Sequence, residues 1–162
     1  MPNILQTIFR RVTAGLSAPA PTAGPPVARV RDKPVPKPRR GTRHLEYSPS
    51  LDGDADPGEI VWTWVPYEDD PKQGKDRPVL VVGRSGRTVL GLMLSSQSER
   101  DGQHNWLALG PGEWDREHRP SWIRLDRVIE VDHDGIRREG SILDRARFDR
   151  VAGALRSDYG WE

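Results

Sequence analysis

Cysteine is absent from the 162 residues, which excludes disulfides and thiolate metal sites. Histidine is scarce: His44, His104, His118 and His133 lie far apart, without metal-ligand spacing, and read as solvated loop residues. Long apolar runs are also missing, and none approaches the ~20 residues that cross a bilayer. Residues 1–16 place Ile4, Leu5, Ile8, Phe9, Val12 and Leu16 at the spacing of a short amphipathic helix. Arg10 and Arg11 interrupt them, where a secretory peptide needs an unbroken apolar block. A cytoplasmic protein with no membrane span is expected. Asp52, Asp54 and Asp56 resemble the start of a calcium loop, but its twelfth position is Thr63 rather than glutamate. No metal or other cofactor is read from the sequence.

What the chain does have is proline and charge, unevenly placed. Residues 1–47 carry nine Lys/Arg against two Asp/Glu; residues 48–162 carry sixteen against twenty-two. A basic tail thus precedes a mildly acidic domain, and any nucleic-acid contact must come from a local patch or from the tail. Residues 17–57 read as a disordered Pro/Ala-rich linker that turns basic at KPVPKPRR, because alternating prolines favour polyproline II over a core. The boundary is drawn at residue 58, with one domain over 58–162.

That domain is organised around residues 77–98, RPVLVVGRSGRTVLGLMLSSQS. Val79, Leu80, Val81 and Val82 form one strand, opened by Pro78; 83–87 supply turn residues, and 88–94 form a second apolar run. An antiparallel hairpin brings its open ends together, so Lys75 and Arg77 arrive beside Ser95, Ser96 and Gln97. Cations next to hydroxyls and an amide suit a phosphodiester. Upstream, 58–65 read as a strand with Ile60, Trp62 and Trp64 on one face. An eleven-residue loop then precedes Arg77, and a short strand follows at 105–109. Residues 121–131 alternate as one half-buried strand bent at Asp126 and Arg127, with Ile123, Leu125, Arg127, Ile129 and Val131 on one side. Residues 142–159 read as a helix that Ser141 or Asp144 caps and Gly160 follows. The fold class is mainly β (α+β): a small, partly open barrel of five to six strands with a C-terminal helix.

Four motifs in this order resemble the PemK/MazF family of toxin endoribonucleases from type II toxin–antitoxin systems. They are GEIVW at 58–62, GKDRPVLVV at 74–82, LSSQS at 94–98 and SWIRLDRVIEV at 121–131, with the C-terminal helix after them. The resemblance implies an SH3-like barrel that forms a homodimer. It implies metal-independent cleavage of single-stranded RNA at short sequences, and neutralisation by a cognate antitoxin. It makes Arg77 the catalytic arginine and puts Ser95 where the family usually has a catalytic threonine. Lys75, Ser96, Gln97 and Arg127, the last in the Asp-Gln/Arg pair of the fourth motif, become candidate RNA contacts. Serine keeps the hydroxyl but loses the methyl that stiffens χ1.

Other readings stand beside this one. Arg77 can instead be a strand-end arginine paired with Asp76 or Asp70. Trp62 and Trp64 can be core residues rather than stacking platforms for bases. The same barrel without turnover would be a module that binds RNA, DNA or protein. A histidine ribonuclease would use His104 and His118.

Overall fold

The computed structural model describes residues 43–162. The helical spacing at 1–16 and the basic proline-rich stretch to residue 42 lie outside the described residues. Seven strands and one helix follow in order: β1 (Glu59–Pro66), β2 (Gly74–Ser85), β3 (Thr88–Ser95), β4 (Trp106–Gly110), β5 (Ser121–Arg124), β6 (Ile129–Asp132), β7 (Ile136–Ile142) and α1 (Arg145–Tyr159). All pairings are antiparallel, in the order β4-β5-β3-β2-β1-β7, with β6 also on β3. The path has two ends, so the sheet is open, as the partly open barrel anticipates.

The run 121–131 explains the strand count. It breaks into β5 and β6, and both halves pair with β3: β6 at Thr88–Gly91, β5 at Leu94 and Ser95. The bend expected at Asp126 and Arg127 is therefore a full interruption that folds the sheet over itself. β7 was hidden because IRREGSI has little apolar alternation; it lies at a sheet edge, where a strand needs no second buried face. β2 also begins three residues earlier than Arg77. Pro78 sits inside it, opposite Trp62 of β1, because the β3 ladder reaches only to Val79 and β2 there has a single neighbour.

The two faces of the hairpin bury separate cores. Ile60, Leu80, Leu92 and Leu94 pack with Ile123, Leu143 and the helix residues Phe148, Val151 and Leu155. Val61, Val79, Val81 and Met93 pack with Trp106, Ile129 and Val131 on the other side. Period-two alternation sorts them, since cross-strand partners such as Val61–Val79 and Val79–Met93 share a face.

Residues 43–57, assigned to the linker by composition, are packed onto this sheet. The Tyr47 hydroxyl donates to the Leu143 carbonyl at 2.8 Å, and its ring meets Phe148 at 4.9 Å. The buried Glu59 carboxylate accepts from the Ser50 and Asp56 backbone N–H groups at 2.8 and 3.2 Å, stapling the segment to β1. Asp56 is in turn paired with Arg84. Proline content hid this packing because Leu45 and Tyr47 are too few to make a periodic pattern.

The helix covers the first core and one sheet edge. Asp144 is its N-cap, accepting from the Arg147 N–H at 3.0 Å, and Gly160 closes it in the left-handed conformation at φ 70°. From the helix, Arg147 donates to the Leu109 and Pro111 carbonyls at 3.1 and 2.7 Å, and Arg150 to Ala108 at 2.9 Å. The bonds to Ala108 and Leu109 occupy carbonyls of β4 that an edge strand would otherwise offer to another chain. The Arg147 side-chain hydrogen bond holds the Asp144 carboxyl below its ordinary range. Its folded value lies under its unfolded one, so the cap stabilises fully above the usual carboxylate range and fades as pH falls through the folded value. Asp144→Ala is expected to cost about 1 kcal/mol at neutral pH. Urea unfolding of parent and variant should converge in acid.

Candidate active site

The hairpin's far end is where two ribbons part. The β2–β3 ladder stops at Val79–Met93. Beyond it Gly74–Pro78 stays on β1, while Leu94 and Ser95 move to β5, opposite Ile123 and Trp122. Arg77 and Ser95 each lie two residues beyond the last pair, on the strands that diverge there, Arg77 opposite Thr63 and Ser95 opposite Trp122. Alternation turns both toward the face of Val79 and Met93. A cleft of about 240 Å³ fills the fork. Lys75, Arg77, Ser95, Ser96 and Gln97 all line it, as do Trp62, Trp114, Asp115 and Arg119.

Arg77 is half-buried and makes no hydrogen bond or ion pair among the described residues. Asp76 is engaged with Arg137 at 3.3 Å and Asp70 accepts from the Lys72 N–H at 3.2 Å, so neither strand-end pairing forms among the described residues. Burial pushes the Arg77 guanidinium below its ordinary value; Tyr67 opposes this, and the Arg100 and Arg127 cations add to it. Lys75 is likewise lowered, chiefly by the neighbouring Arg77 charge and further by burial. Cations crowded this way at a solvent-open site favour the arrival of an anion.

Ser95 is buried, 5% exposed, and its Oγ accepts from the Gln97 N–H at 3.2 Å. Its own hydrogen has no acceptor among the described residues, so it remains available to donate. Ser96 and Gln97 are exposed. Arg100 lies 4.8 Å from the Trp106 ring centre and 3.5 Å from Gln97 Oε1. It tethers the Gln97 amide to the second core, a residue the sequence reading passed over as polar loop.

Arg127 is the predicted contact that the structure does not bring into the cleft. It is 5% exposed; its Nη2 donates to the Pro66 carbonyl at 2.8 Å, and its Nη1 lies 3.7 Å from Met93 Sδ. The alternation that put it among apolar residues was the better guide. Its charge acts on Arg77 from inside the protein. His104 and His118 are exposed and neither lines the cleft. Among the described residues, no three His, Asp or Glu side chains are grouped to hold a metal ion.

Trp62 is neither a core residue nor a free platform. It is half-buried in the cleft wall, and its Nε1 donates to the Trp114 carbonyl at 3.0 Å. The loop between β4 and β5 supplies the rest of that wall. Trp114 is 2% exposed and donates from Nε1 to Ser121 Oγ at 3.1 Å. Asp115 accepts from Arg119 Nε at 2.8 Å and from the Glu117 N–H at 3.0 Å. Burial works to raise the Asp115 carboxyl, but these hydrogen bonds prevail and hold it below its usual range.

The fold and the cleft together define a class: a small open β-sheet protein whose forked hairpin gathers cations and hydroxyls at one open cleft. Its sequence places it more closely. The profile of the PemK-like, MazF-like toxins of type II toxin–antitoxin systems matches residues 56–157, and the chain belongs to that family. No curated protein matches it significantly. The match spans the whole sheet and nearly all of α1, and so contains every residue that lines the cleft.

Proposed function

We propose that this chain is a metal-independent endoribonuclease acting on single-stranded RNA at short sequences, working as a cytoplasmic homodimer and restrained by an antitoxin. The observation that carries the reading is that Arg77, without an ion pair among the described residues, and Ser95 line one open cleft. RNA brings its own nucleophile, the 2′-OH beside the scissile phosphorus. The protein has to hold 2′-O, phosphorus and 5′-O in line and stabilise charge on the phosphorane oxygens. Arg77 can bind two of those oxygens through its fork and hydrogen-bond the leaving 5′-O, while solvent in the open cleft takes the 2′-OH proton and supplies the one that completes the 5′-hydroxyl. It does not serve as base, because a guanidinium keeps its proton at ordinary pH. Ser95 positions the phosphate as a hydroxyl donor, while Lys75, Ser96 and Gln97 contact neighbouring phosphates and bases.

Incubation with single-stranded RNA in excess EDTA should yield 2′,3′-cyclic phosphate and 5′-hydroxyl ends, read by end-labelling and mass spectrometry. Products that form only with added magnesium would refute the proposal. A second reading, the binding module without turnover, draws on the acidic composition of the domain. It predicts salt-sensitive association and intact RNA in the same assay.

A further inference from the structure

We infer that Arg119 is a substrate-contacting residue, gripping a phosphate of the bound RNA beside the scissile one, with Asp115 as its positioning residue. This rests on the nuclease reading of the cleft. Arg119 lines the same cleft as Arg77, but from the β4–β5 loop rather than from β2. Its two carboxylate contacts both fall on Nε: Asp115 Oδ2 at 2.8 Å and Glu117 Oε2 at 3.3 Å. Neither Nη group has a partner among the described residues, and the side chain is 53% exposed. A guanidinium held by its Nε and open at both terminal amino groups is pre-oriented for a bidentate oxyanion.

The holder is built into the protein. Asp115 is 8% exposed and next to the buried Trp114, and it also accepts from the Glu117 N–H. A surface pair formed only for charge balance would leave both partners exposed. Here the carboxylate is buried and only the cation projects, which spares much of the ordering cost that a free arginine would pay on binding. The RNA backbone carries one charge per nucleotide, so a strand seated on Arg77 presents its next phosphates within reach of the cleft walls.

The test uses the full chain and a fluorescent pool of short, randomised 2′-O-methyl RNA strands, which bind but lack the attacking hydroxyl. Arg119→Ala should weaken binding about tenfold. The slope of log Kd against log salt, taken from about 50 to 200 mM, should fall by about 0.7, the share of one phosphate on a single strand. On ordinary RNA the loss should appear mainly in KM, whereas Arg77→Ala acts on kcat. Asp115→Asn, which keeps the Arg119 charge but loosens its hold, should give an intermediate Kd with the parent's salt slope. Unchanged affinity and slope in Arg119→Ala overturn the inference, as does a parent that does not bind the pool. A parent that binds the pool but leaves ordinary RNA intact refutes the nuclease reading and leaves the Arg119 contact standing.

Discussion

Arg77→Ala is expected to slow single-turnover RNA cleavage by on the order of 10²–10³, the cost of removing one pre-set donor from a developing oxyanion. Three observations set that size. Arg77 makes no hydrogen bond or ion pair among the described residues and lines an open cleft, so among them its donors are not spent. It is half-buried, where each charge-assisted bond counts for more than in water. Its position is fixed by a seven-pair ladder with β1, in which it faces Thr63, itself anchored by a 2.8 Å bond to the Gly135 carbonyl. Removing an unpaired cation beside Lys75 should leave the melting temperature unchanged or raised, so lost activity cannot be assigned to unfolding. Arg77→Lys restores charge without the fork and should recover only part of the rate. Ser95→Ala should also fall well below the parent, while Ser95→Thr, which stiffens χ1, should match or exceed it. Full activity in Arg77→Ala would end the assignment.

Trp114→Ala carries the largest expected loss of stability, about 3–5 kcal/mol by the cost of emptying a buried indole site. Against a total of roughly 5–15 kcal/mol for a domain, that is a substantial fraction. The ring is enclosed on several sides. A Cβ placed on Gly112 would lie 2.0 Å from it, Arg147 stacks 5.1 Å from its centre, and its N–H is satisfied by Ser121. Deleting it leaves a void between α1 and the loop that carries Asp115 and Arg119. Trp114→Phe keeps most of the volume and forfeits one buried hydrogen bond, for about 1–2 kcal/mol. Urea midpoints of the two variants would give the order. A Trp114→Ala midpoint equal to the parent's would show that the loop is held by something else.

Much of the site was legible because it lies on regular strands. Period-two alternation through Val79–Val82 and 88–94 set the hairpin, and antiparallel geometry alone then brought Arg77 toward Ser95. The family motifs 74–82 and 94–98 fall on those same strands. The β4–β5 loop was opaque for the opposite reason. GPGEWDREHRP has the composition of any exposed loop, and nothing local says that Trp114 and Asp115 turn inward while Arg119 projects. One signal was there: a lone tryptophan two residues after a glycine is costly to leave in water, and that glycine is what lets the ring fold back on the chain. Arg127, placed beneath the surface and outside the cleft lining, is a different case. Charge argued for the surface and alternation for the interior; alternation prevailed because Pro66 offers a buried carbonyl to receive it. The packed segment 43–57 was missed because its anchor, Glu59, lies in β1 and bonds to backbone, which no side-chain pattern reveals.

The join between β2 and β3 has a bearing on when during synthesis this cleft comes into being. Arg77 and Ser95 are translated early, but the core behind Leu94 is completed by Leu143, Phe148, Val151 and Leu155, and β1 takes β7 as its outer neighbour. A ribosome-bound fragment ending before residue 143 carries both groups and lacks the packing that keeps their strands in step. The cleft's two strands are therefore held in step only after the residues through Leu155 have emerged and packed.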